Sequence, residues 1–163
     1  MAILARINFK RREPVTIDKY LDTRRIAFLH ATSRDVALRA LVEVLDADGA
    51  LQDKEAYYSA ILNREKIVST GIGMGVAIPH AKLEGYEDFF IAIGIQQGQG
   101  LEWNSLDGAP VRLIIMIGGP ANQQTEYLYI LSKITIAIKD EERRKKLLKA
   151  KTAEEVVALF QGT

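Results

Sequence analysis

The alternation of apolar and polar positions predicts helices separated by strands along most of the chain. In residues 34–46, apolar side chains recur every three or four positions behind a cap at Thr32/Ser33, and this spacing predicts a first helix. The pair Asp48-Gly49 is a turn signal that ends this helix. A second helix is predicted to begin at a cap on Asp53 and to run to Arg64-Glu65.

Two runs dense in isoleucine and poor in charge follow, at residues 88–96 and 111–117. Such runs are typical of strands that are buried on both faces. After them, the spacing predicts a helix over 125–138, a basic helix through Leu148 and a last helix that begins at Thr152. The sequence therefore predicts one α/β domain whose mixed sheet, of about five strands, is flanked by helices on both faces.

The composition indicates a single globular domain and excludes several kinds of chemistry. The 163 residues are 48% hydrophobic and 26% charged, with no cysteine, which is the size and balance of one domain. Without cysteine there is no disulfide, thiolate zinc site, iron–sulfur cluster or catalytic thiol. The most apolar run, residues 89–95, is far shorter than the ~20 residues of a membrane-spanning helix. We therefore expect a cytoplasmic protein with no membrane span.

Charge is unevenly distributed beneath a net charge of +1. Residues 1–25 carry seven Lys or Arg against three acids, and residues 139–151 also carry seven against three. The run Arg143-Arg144-Lys145-Lys146 has no aromatic neighbours of the kind found in nucleic-acid sites. We interpret it as a solvated helix face and expect no nucleic-acid partner.

Candidate chemistry is concentrated in residues 64–80, where three alternate glycines precede a Pro-His pair. The glycines are evenly spaced and follow a helix, which excludes a dinucleotide-binding turn. No Gly-Lys-Ser/Thr follows them, which excludes a P-loop. We predict a flexible polar loop that leads into a short strand over 76–78. Pro79 is expected to end strand pairing there, because it has no amide hydrogen.

His80 is the candidate nucleophile of this stretch, because much of an imidazole is unprotonated near neutral pH. Backbone amides of the glycine loop and the guanidinium of Arg64 could hold the oxygens of a phosphoryl group. The alternative is a structural histidine whose ring is satisfied within the fold. The residue pattern alone leaves both interpretations open.

The same stretch resembles the signature of a known family. Its segments Arg64-Glu65, Ser69-Thr70-Gly71-Ile72-Gly73 and Val76-Ala77-Ile78-Pro79-His80 are similar to those of the mannitol/fructose-type (type 2) enzyme IIA domains of the bacterial phosphotransferase system (PTS). That family includes the nitrogen-regulatory IIA proteins. Downstream, residues 101–111 resemble the family's turn into its next strand, and residues 126–132 resemble its following helix. The resemblance covers roughly residues 30–162. It implies a PTS enzyme IIA type-2 domain over residues 30–163, preceded by a basic amino-terminal extension over residues 1–29.

The resemblance implies a mechanism and partners. In the family, the histidine of the Pro-His motif accepts a phosphoryl group from the phosphohistidine of the carrier protein HPr. It then passes the group to a IIB partner or keeps it as a regulatory signal. His80 takes this role here through one ring nitrogen, expected to be Nε2, and Arg64 steadies the phosphate charge. Thr70, Gly71 and Gly73 are assigned to the phosphate loop, and the balanced histidine-to-histidine transfer implies no ATP, metal or other cofactor.

One position departs from the family pattern. Members commonly carry a second histidine that faces the first from the start of the helix after the sheet, and Tyr127 occupies that position here. Tyrosine can donate a hydrogen bond but cannot become a cation at neutral pH. Either Tyr127 only packs at this place, or transfer is slower or altered, which would suit a regulator.

The sequence is compatible with three kinds of function: a phosphocarrier, a non-catalytic interaction module and a nucleotide-binding protein. The resemblance implies a phosphotransferase, and a free-standing nitrogen-regulatory IIA protein is favoured over a sugar-specific IIA that passes phosphate to a IIB partner. A non-catalytic interaction module on the same fold is the alternative from a different class, and Tyr127 is its motivation. A nucleotide-binding α/β protein is a third and weaker alternative.

His30, Trp103 and Glu65 are three further residues whose types could carry a function. His30 is expected to be structural, because no motif supplies the further ligands of a metal site. Trp103 is either part of the core or a partner contact. Glu65 is expected to pair with Arg64 or with Lys66.

Overall fold

The computed structural model describes residues 16–163, so the basic run Lys10-Arg11-Arg12 lies outside the described residues. Two short 3₁₀ turns, Ile17–Tyr20 and Thr23–Arg25, precede the first strand. The strands are β1 (Ile26–Leu29), β2 (Gly71–Gly73), β3 (Val76–Ala77), β4 (His80–Leu83), β5 (Phe90–Gln96) and β6 (Leu113–Pro120). The helices are α1 (Arg34–Ala47), α2 (Lys54–Ile67), α3 (Gln124–Lys139), α4 (Glu141–Lys149) and α5 (Ala153–Ala158).

All of these strands join one mixed sheet, in the order β1-β5-β6-β3-β2 with β4 also paired to β6. The centre is the antiparallel pair of β5 and β6, and β1 runs parallel to β5. β6 is long enough to pair parallel with two short strands in turn, so that Leu113 lies opposite Val76 and Ile117 lies opposite His80. The α/β class and the mixed sheet are confirmed, with six strands rather than about five.

Helices cover both faces of the sheet, as predicted. Along β6, Ile115 and Ile117 pack on the side of α3, α4 and α5, whereas Ile114 and Met116 pack on the side of α1 and α2. Every residue of β5 and β6 is buried. The two isoleucine-rich runs are therefore core strands between two helical layers.

The helix starts follow the predicted capping chemistry. The side chains of Ser33, Asp53 and Thr152 each accept a hydrogen bond from the backbone amide three residues later, at the starts of α1, α2 and α5. α2 continues to Ile67, two residues beyond the predicted end. No helix within residues 16–163 combines the length and apolar composition needed to cross a membrane.

The domain begins earlier in the chain than the predicted boundary at residues 29 and 30. Ile26–Leu29 forms β1 inside the sheet. Before it, Ile17 and Tyr20 are buried in the core, and the Ile17 amide donates to the carbonyl of Thr163 at 2.8 Å. A four-residue strand is too short to show a clear period in the sequence, which explains why this segment was assigned to the extension.

The glycine-rich stretch is a β-hairpin rather than a flexible polar loop. β2 pairs antiparallel with β3, and the two residues between them, Met74 and Gly75, have φ values of 60° and 74°. Two successive positive φ values are the geometry of a tight type I′ hairpin turn, in which glycine is favoured. Gly75 thus serves the compact turn itself, whereas Gly71 and Gly73 lie in the strand before it.

Pro79 interrupts the strand pairing without ending it. β3 lies before Pro79 and β4 begins immediately after it, and both pair with β6. The Pro79 carbonyl accepts a hydrogen bond from the Ile117 amide at 2.9 Å, so only the missing donor of the proline is lost from the ladder. His80 is therefore the first residue of a strand and not the residue after one.

The basic helix α4 does more than present a solvated face. Arg143 donates to the carbonyls of Ala137 and Leu159 at 3.0 and 2.9 Å, and Arg144 donates to the Ile138 carbonyl at 2.6 Å. Ala137 and Ile138 lie in the last turn of α3, where carbonyls have no partner within the helix. These two arginines therefore cap α3, whereas Lys145 and Lys146 are exposed as predicted.

Candidate functional site

His80 lies where α2 and α3 approach the same short strand. The neighbouring β4 residues Ala81 and Leu83 pack with the α1 and α2 core. Because strand side chains alternate between faces, His80 and Lys82 point to the α3 side. His80 is half-buried, so its ring is both held by the protein and open to solvent.

The hydrogen bonds of His80 assign its tautomer. Nδ1 lies 2.9 Å from the Ile78 carbonyl, which can only accept, so Nδ1 carries the proton. Nε2 lies 3.1 Å from Nε of Arg64, which can only donate. Nε2 therefore holds the lone pair, which is the arrangement required for the predicted attack through Nε2.

Arg64 lies in the last turn of α2 beside the histidine. Besides its contact with His80, its Nη1 donates to the Val68 carbonyl at 2.7 Å. Among residues 16–163, no carboxylate forms an ion pair with it. The guanidinium therefore keeps an uncompensated positive charge next to the ring, as a phosphate-binding role requires.

Tyr127, in the first turn of α3, faces His80 as the sequence analysis expects. The centroids of the two rings are 5.6 Å apart. The Tyr127 ring also stacks with Phe89, with the centroids 6.3 Å apart, and the side chain is buried. Burial raises the pKa of the Tyr127 hydroxyl above its usual value, so this neighbour of His80 is neutral.

Lys82 is the site residue that the sequence analysis missed. Its ammonium nitrogen lies 4.4 Å from the centroid of the Tyr127 ring and donates to the side chain of Gln124. The signal was present in the sequence, since Lys82 is two residues from His80 on a strand and must share its face. We refer to Arg64, His80, Lys82 and Tyr127 as the reactive cluster.

The surroundings of His80 favour its neutral form. Burial is the largest influence and lowers the pKa of the imidazole below its ordinary value. The positive charges of Arg64 and Lys82 also lower this pKa, whereas the Ile78 carbonyl and the Glu65 carboxylate raise it. The result is an imidazole that is unprotonated at Nε2 at neutral pH.

Glu65 does not pair with Arg64 or Lys66, contrary to the sequence expectation. It is 4% exposed and accepts hydrogen bonds from the amide and the hydroxyl of Thr70 and from Nε1 of Trp103, the last at 3.2 Å. Trp103 is 1% exposed, so it belongs to the core and not to a partner surface. We refer to Glu65, Thr70 and Trp103 as the buried anchor, because it ties the end of α2 to the hairpin.

The residues assigned to the phosphate loop are engaged by the protein itself. Thr70 is 4% exposed within the buried anchor. The Gly71 amide donates to the Ser69 hydroxyl at 3.1 Å, and a side chain at Gly71 would collide with Ser105. At Gly73, where φ is 96°, the close neighbour is the Asp107 carboxylate. A phosphate-binding role for these positions stays a prediction.

His30 lies apart from this constellation. It is exposed in the segment between β1 and α1. Within residues 16–163, no group of three or more histidine and acidic side chains has an arrangement that could hold a metal ion. The constellation around His80 is an imidazole with the cations of Arg64 and Lys82 nearby.

Comparison with known proteins gives a consistent family. The family model described as phosphoenolpyruvate-dependent sugar phosphotransferase system, EIIA 2, matches residues 19–162. The chain is 38% identical over 132 residues to the PTS system fructose-specific EIIABC component of Bacillus subtilis (strain 168). That match covers 81% of this chain and 21% of the relative, so the chain spans about a fifth of the relative's length.

Regulatory proteins match over most of their length. The chain is 34% identical over 137 residues to the nitrogen regulatory protein of Escherichia coli (strain K12), covering 83% of this chain and 82% of that protein. The crystal structure of the nitrogen regulatory protein IIA-Ntr from Neisseria meningitidis superimposes with a TM-score of 0.83 at 28% identity, covering 89% of this chain and 99% of that one. The chain therefore belongs to the EIIA 2 family of the phosphoenolpyruvate-dependent sugar phosphotransferase system.

Proposed function

We propose that this protein is a phosphocarrier that accepts a phosphoryl group on Nε2 of His80 from the phosphohistidine of an HPr-type carrier. The observation that carries the proposal is the hydrogen-bond pattern of His80. The Ile78 carbonyl fixes the proton on Nδ1, so the lone pair of Nε2 is directed at Arg64. A nucleophile with a fixed tautomer beside an uncompensated cation is suited to phosphoryl transfer, which depends on positioning and charge stabilisation.

The transfer step balances without any further reactant. A bond forms between phosphorus and Nε2 of His80, and the bond between phosphorus and the donor's ring nitrogen breaks. The electron pair of the broken bond stays on the donor nitrogen. The proton on Nδ1 of His80 is held by the Ile78 carbonyl and does not need to move.

Arg64 has two successive partners in this scheme. In the structure its Nε donates to the lone pair that must attack, so the guanidinium has to leave Nε2 before the new bond forms. The phosphoryl oxygens then offer it stronger, charge-assisted hydrogen bonds than the neutral ring did. Its link to the Val68 carbonyl keeps the side chain at the site during this exchange.

Within the family, we propose a nitrogen-regulatory role in the cytoplasm, with a regulatory target protein as the downstream partner. The support is the match to nitrogen regulatory proteins over most of both chains and the TM-score of 0.83 to IIA-Ntr. The second candidate is a sugar-specific IIA that passes phosphate to a IIB partner, which the 38% identity to a fructose-specific protein favours. Growth of a deletion strain on single sugars and on single nitrogen sources separates the two roles.

The proposed function is tested by labelling from radioactive phosphoenolpyruvate with purified enzyme I and an HPr-type carrier. We expect the wild-type protein to gain label only when both are present. His80→Gln should gain none, whereas the matched control His30→Gln, at an exposed position away from the site, should label normally. Label that persists in His80→Gln contradicts the site assignment.

An unlabelled wild-type protein would favour the non-catalytic interaction module. The observation behind that alternative is the neutral Tyr127 that faces His80. In that case the unlabelled protein should still bind a partner, and binding should be the same for wild type and His80→Gln. A protein that labels fully excludes this alternative.

A further inference from the structure

The pairing of β4 with β6 determines where the side chain of Lys82 lies. β4 pairs in register with β6, so Lys82 lies opposite Gly119 while His80 lies opposite Ile117. The two side chains therefore emerge from the same face of a four-residue strand, one period apart. The ammonium group is then held over the face of the Tyr127 ring, at 4.4 Å from its centroid.

The charge of Lys82 is not neutralised by any acid in residues 16–163. It takes part in no ion pair there, and its described hydrogen-bond acceptor is the neutral side chain of Gln124. An ammonium group has three donor hydrogens, so donors are left over for another acceptor. A half-buried cation that lacks a carboxylate partner costs stability, and such groups are common where an anion binds during function.

The site needs a second cation when it carries phosphate. A phosphoryl group has a charge of about −1.5 to −2 at neutral pH. Arg64 supplies one positive charge, and Tyr127 is neutral at the place that faces His80. Any second positive charge next to the ring would come from a residue other than Tyr127.

We propose that Lys82 supplies the second positive charge of the phosphorylated site, by donating to a phosphoryl oxygen on His80 Nε2 from its place over the Tyr127 ring. This inference rests on the proposed phosphorylation of His80. Lys82 transfers no proton in the step, because the P–N bond forms and breaks as described above and Lys82 acts only as an electrostatic partner. Tyr127 acts as the platform that positions the ammonium group through its ring face.

The test compares Lys82→Met, Lys82→Arg and the control Lys133→Met. Lys133 is a suitable control, because its ammonium group also lies over a tyrosine ring, that of Tyr129 at 5.4 Å, and its loss changes the net charge equally. We measure the rate of phosphoryl transfer from the phosphorylated carrier and the lifetime of the phosphorylated product. Lys82→Met should slow transfer by roughly tenfold or more and shorten that lifetime, whereas Lys82→Arg and Lys133→Met should stay within about threefold of wild type.

Two further measurements separate charge from structure. Titration of the His80 ring followed by NMR should show a higher pKa in Lys82→Met, because a cation that opposes protonation is gone. Tyr127→His in the Lys82→Met background should recover part of the transfer rate at acidic pH, where the new histidine is a cation. A Lys82 role in packing alone would give neither result.

The outcomes are distinguishable from failure of the proposed function. If wild type labels and Lys82→Met equals Lys133→Met in rate and product lifetime, the role of Lys82 is overturned while phosphorylation of His80 stands. If wild type fails to label, the proposed function itself fails. Lys82→Gln gives the same comparison should Lys82→Met fold poorly, as judged by its thermal unfolding.

Discussion

Arg64 and Glu65 are consecutive residues of α2, yet they belong to regions with opposite electrostatic character. Arg64 is part of the reactive cluster, where two cations flank a half-buried histidine and no carboxylate in residues 16–163 pairs with either of them. Glu65 is part of the buried anchor, where one carboxylate accepts from three donors. Successive residues of a helix point about 100° apart, which is enough to place one at the sheet edge and the other in the core.

The difference shows how the two regions divide stability and function. In the buried anchor, each described donor has its acceptor, as buried polar groups require. In the reactive cluster, hydrogen-bond donors and positive charge are left over, which destabilises the resting state but prepares it for an anion. Substitutions in the first region should therefore change unfolding, and substitutions in the second should change transfer.

The largest effect is expected from Arg64→Gln, which removes the cation beside Nε2 of His80. Loss of one charged donor to a transferring phosphoryl group should lower the transfer rate by roughly 10²–10³-fold. The free energy of unfolding should change little, because Arg64 has no acidic partner in the described chain. Quenched reactions with labelled carrier measure the transfer rate, and urea unfolding measures the free energy of unfolding.

Lys66→Gln is the matched control for this change. Lys66 is an exposed residue on the same helix turn, and its substitution alters the net charge equally. It should leave both transfer and unfolding close to wild type. Equal losses of transfer rate in Arg64→Gln and Lys66→Gln would mean that only the net charge of the protein matters. The distinction between the reactive cluster and the buried anchor would then be wrong.

The next largest effect is expected in the buried anchor, from Glu65→Ala. Removing the carboxylate leaves the amide and the hydroxyl of Thr70 without their acceptor and takes away one of the two acceptors of Trp103 Nε1, at a cost of about 2–4 kcal/mol in the free energy of unfolding. The fraction of protein that is folded should still accept phosphate. A variant of Glu65 that keeps full stability but loses transfer would place Glu65 in the reactive cluster instead.

A smaller effect is expected from Trp103→Phe. This change keeps an aromatic ring in the core but removes the Nε1 donor, which lies 3.2 Å from Glu65 and 3.1 Å from the Thr70 hydroxyl. The free energy of unfolding should fall by about 1–2 kcal/mol. Transfer measured at a temperature well below the unfolding midpoint should match wild type.

The smallest effect is a pH dependence that belongs to the reactive cluster. Burial and nearby cations lower the pKa of His80 in the folded state, so between that pKa and about 6.5 the unfolded chain binds more protons. His80 therefore contributes stability above about pH 6.5 that is lost as the pH falls through this window. The difference in unfolding free energy between wild type and His80→Gln, measured from pH 5 to 8, should grow in favour of wild type as the pH rises. A difference that is independent of pH would contradict the lowered pKa.

Much of the fold could be predicted from the sequence because its helices and central strands are determined by local sequence patterns. Caps at Ser33, Asp53 and Thr152, and the two isoleucine-rich strands, depend on neighbouring residues and were predicted correctly. Apart from the strand predicted over 76–78, which forms as β3, the short strands were not predicted. β1 and β4 have four residues each, and only pairing with distant strands makes them part of a sheet.

For the candidate site too, local sequence proximity decided which residues could be proposed. His80 and Arg64 lie in one motif, so their roles could be proposed from sequence. The charge of Lys82 over Tyr127 joins residues 45 positions apart, and this contact depends on how α3 packs against β4. The three donor groups of Thr70 and Trp103 that bind Glu65 likewise come together only in the folded chain, whereas sequence proximity predicts an ion pair with Arg64 or Lys66.

Because strand pairing is interrupted at Pro79, the site depends on the register in which β4 resumes pairing with β6. Because β4 starts at His80, the residue that follows Pro79 faces α3 and the one after it faces α1 and α2. A single residue inserted between Pro79 and His80, with the strand pairing kept, would exchange the two faces. The side chains of His80 and Lys82 would then point into the core on the α1 and α2 side. Ala81 and Leu83 would instead face α3. Natural or engineered variation in length should therefore be excluded at this junction, even where it is tolerated in neighbouring turns.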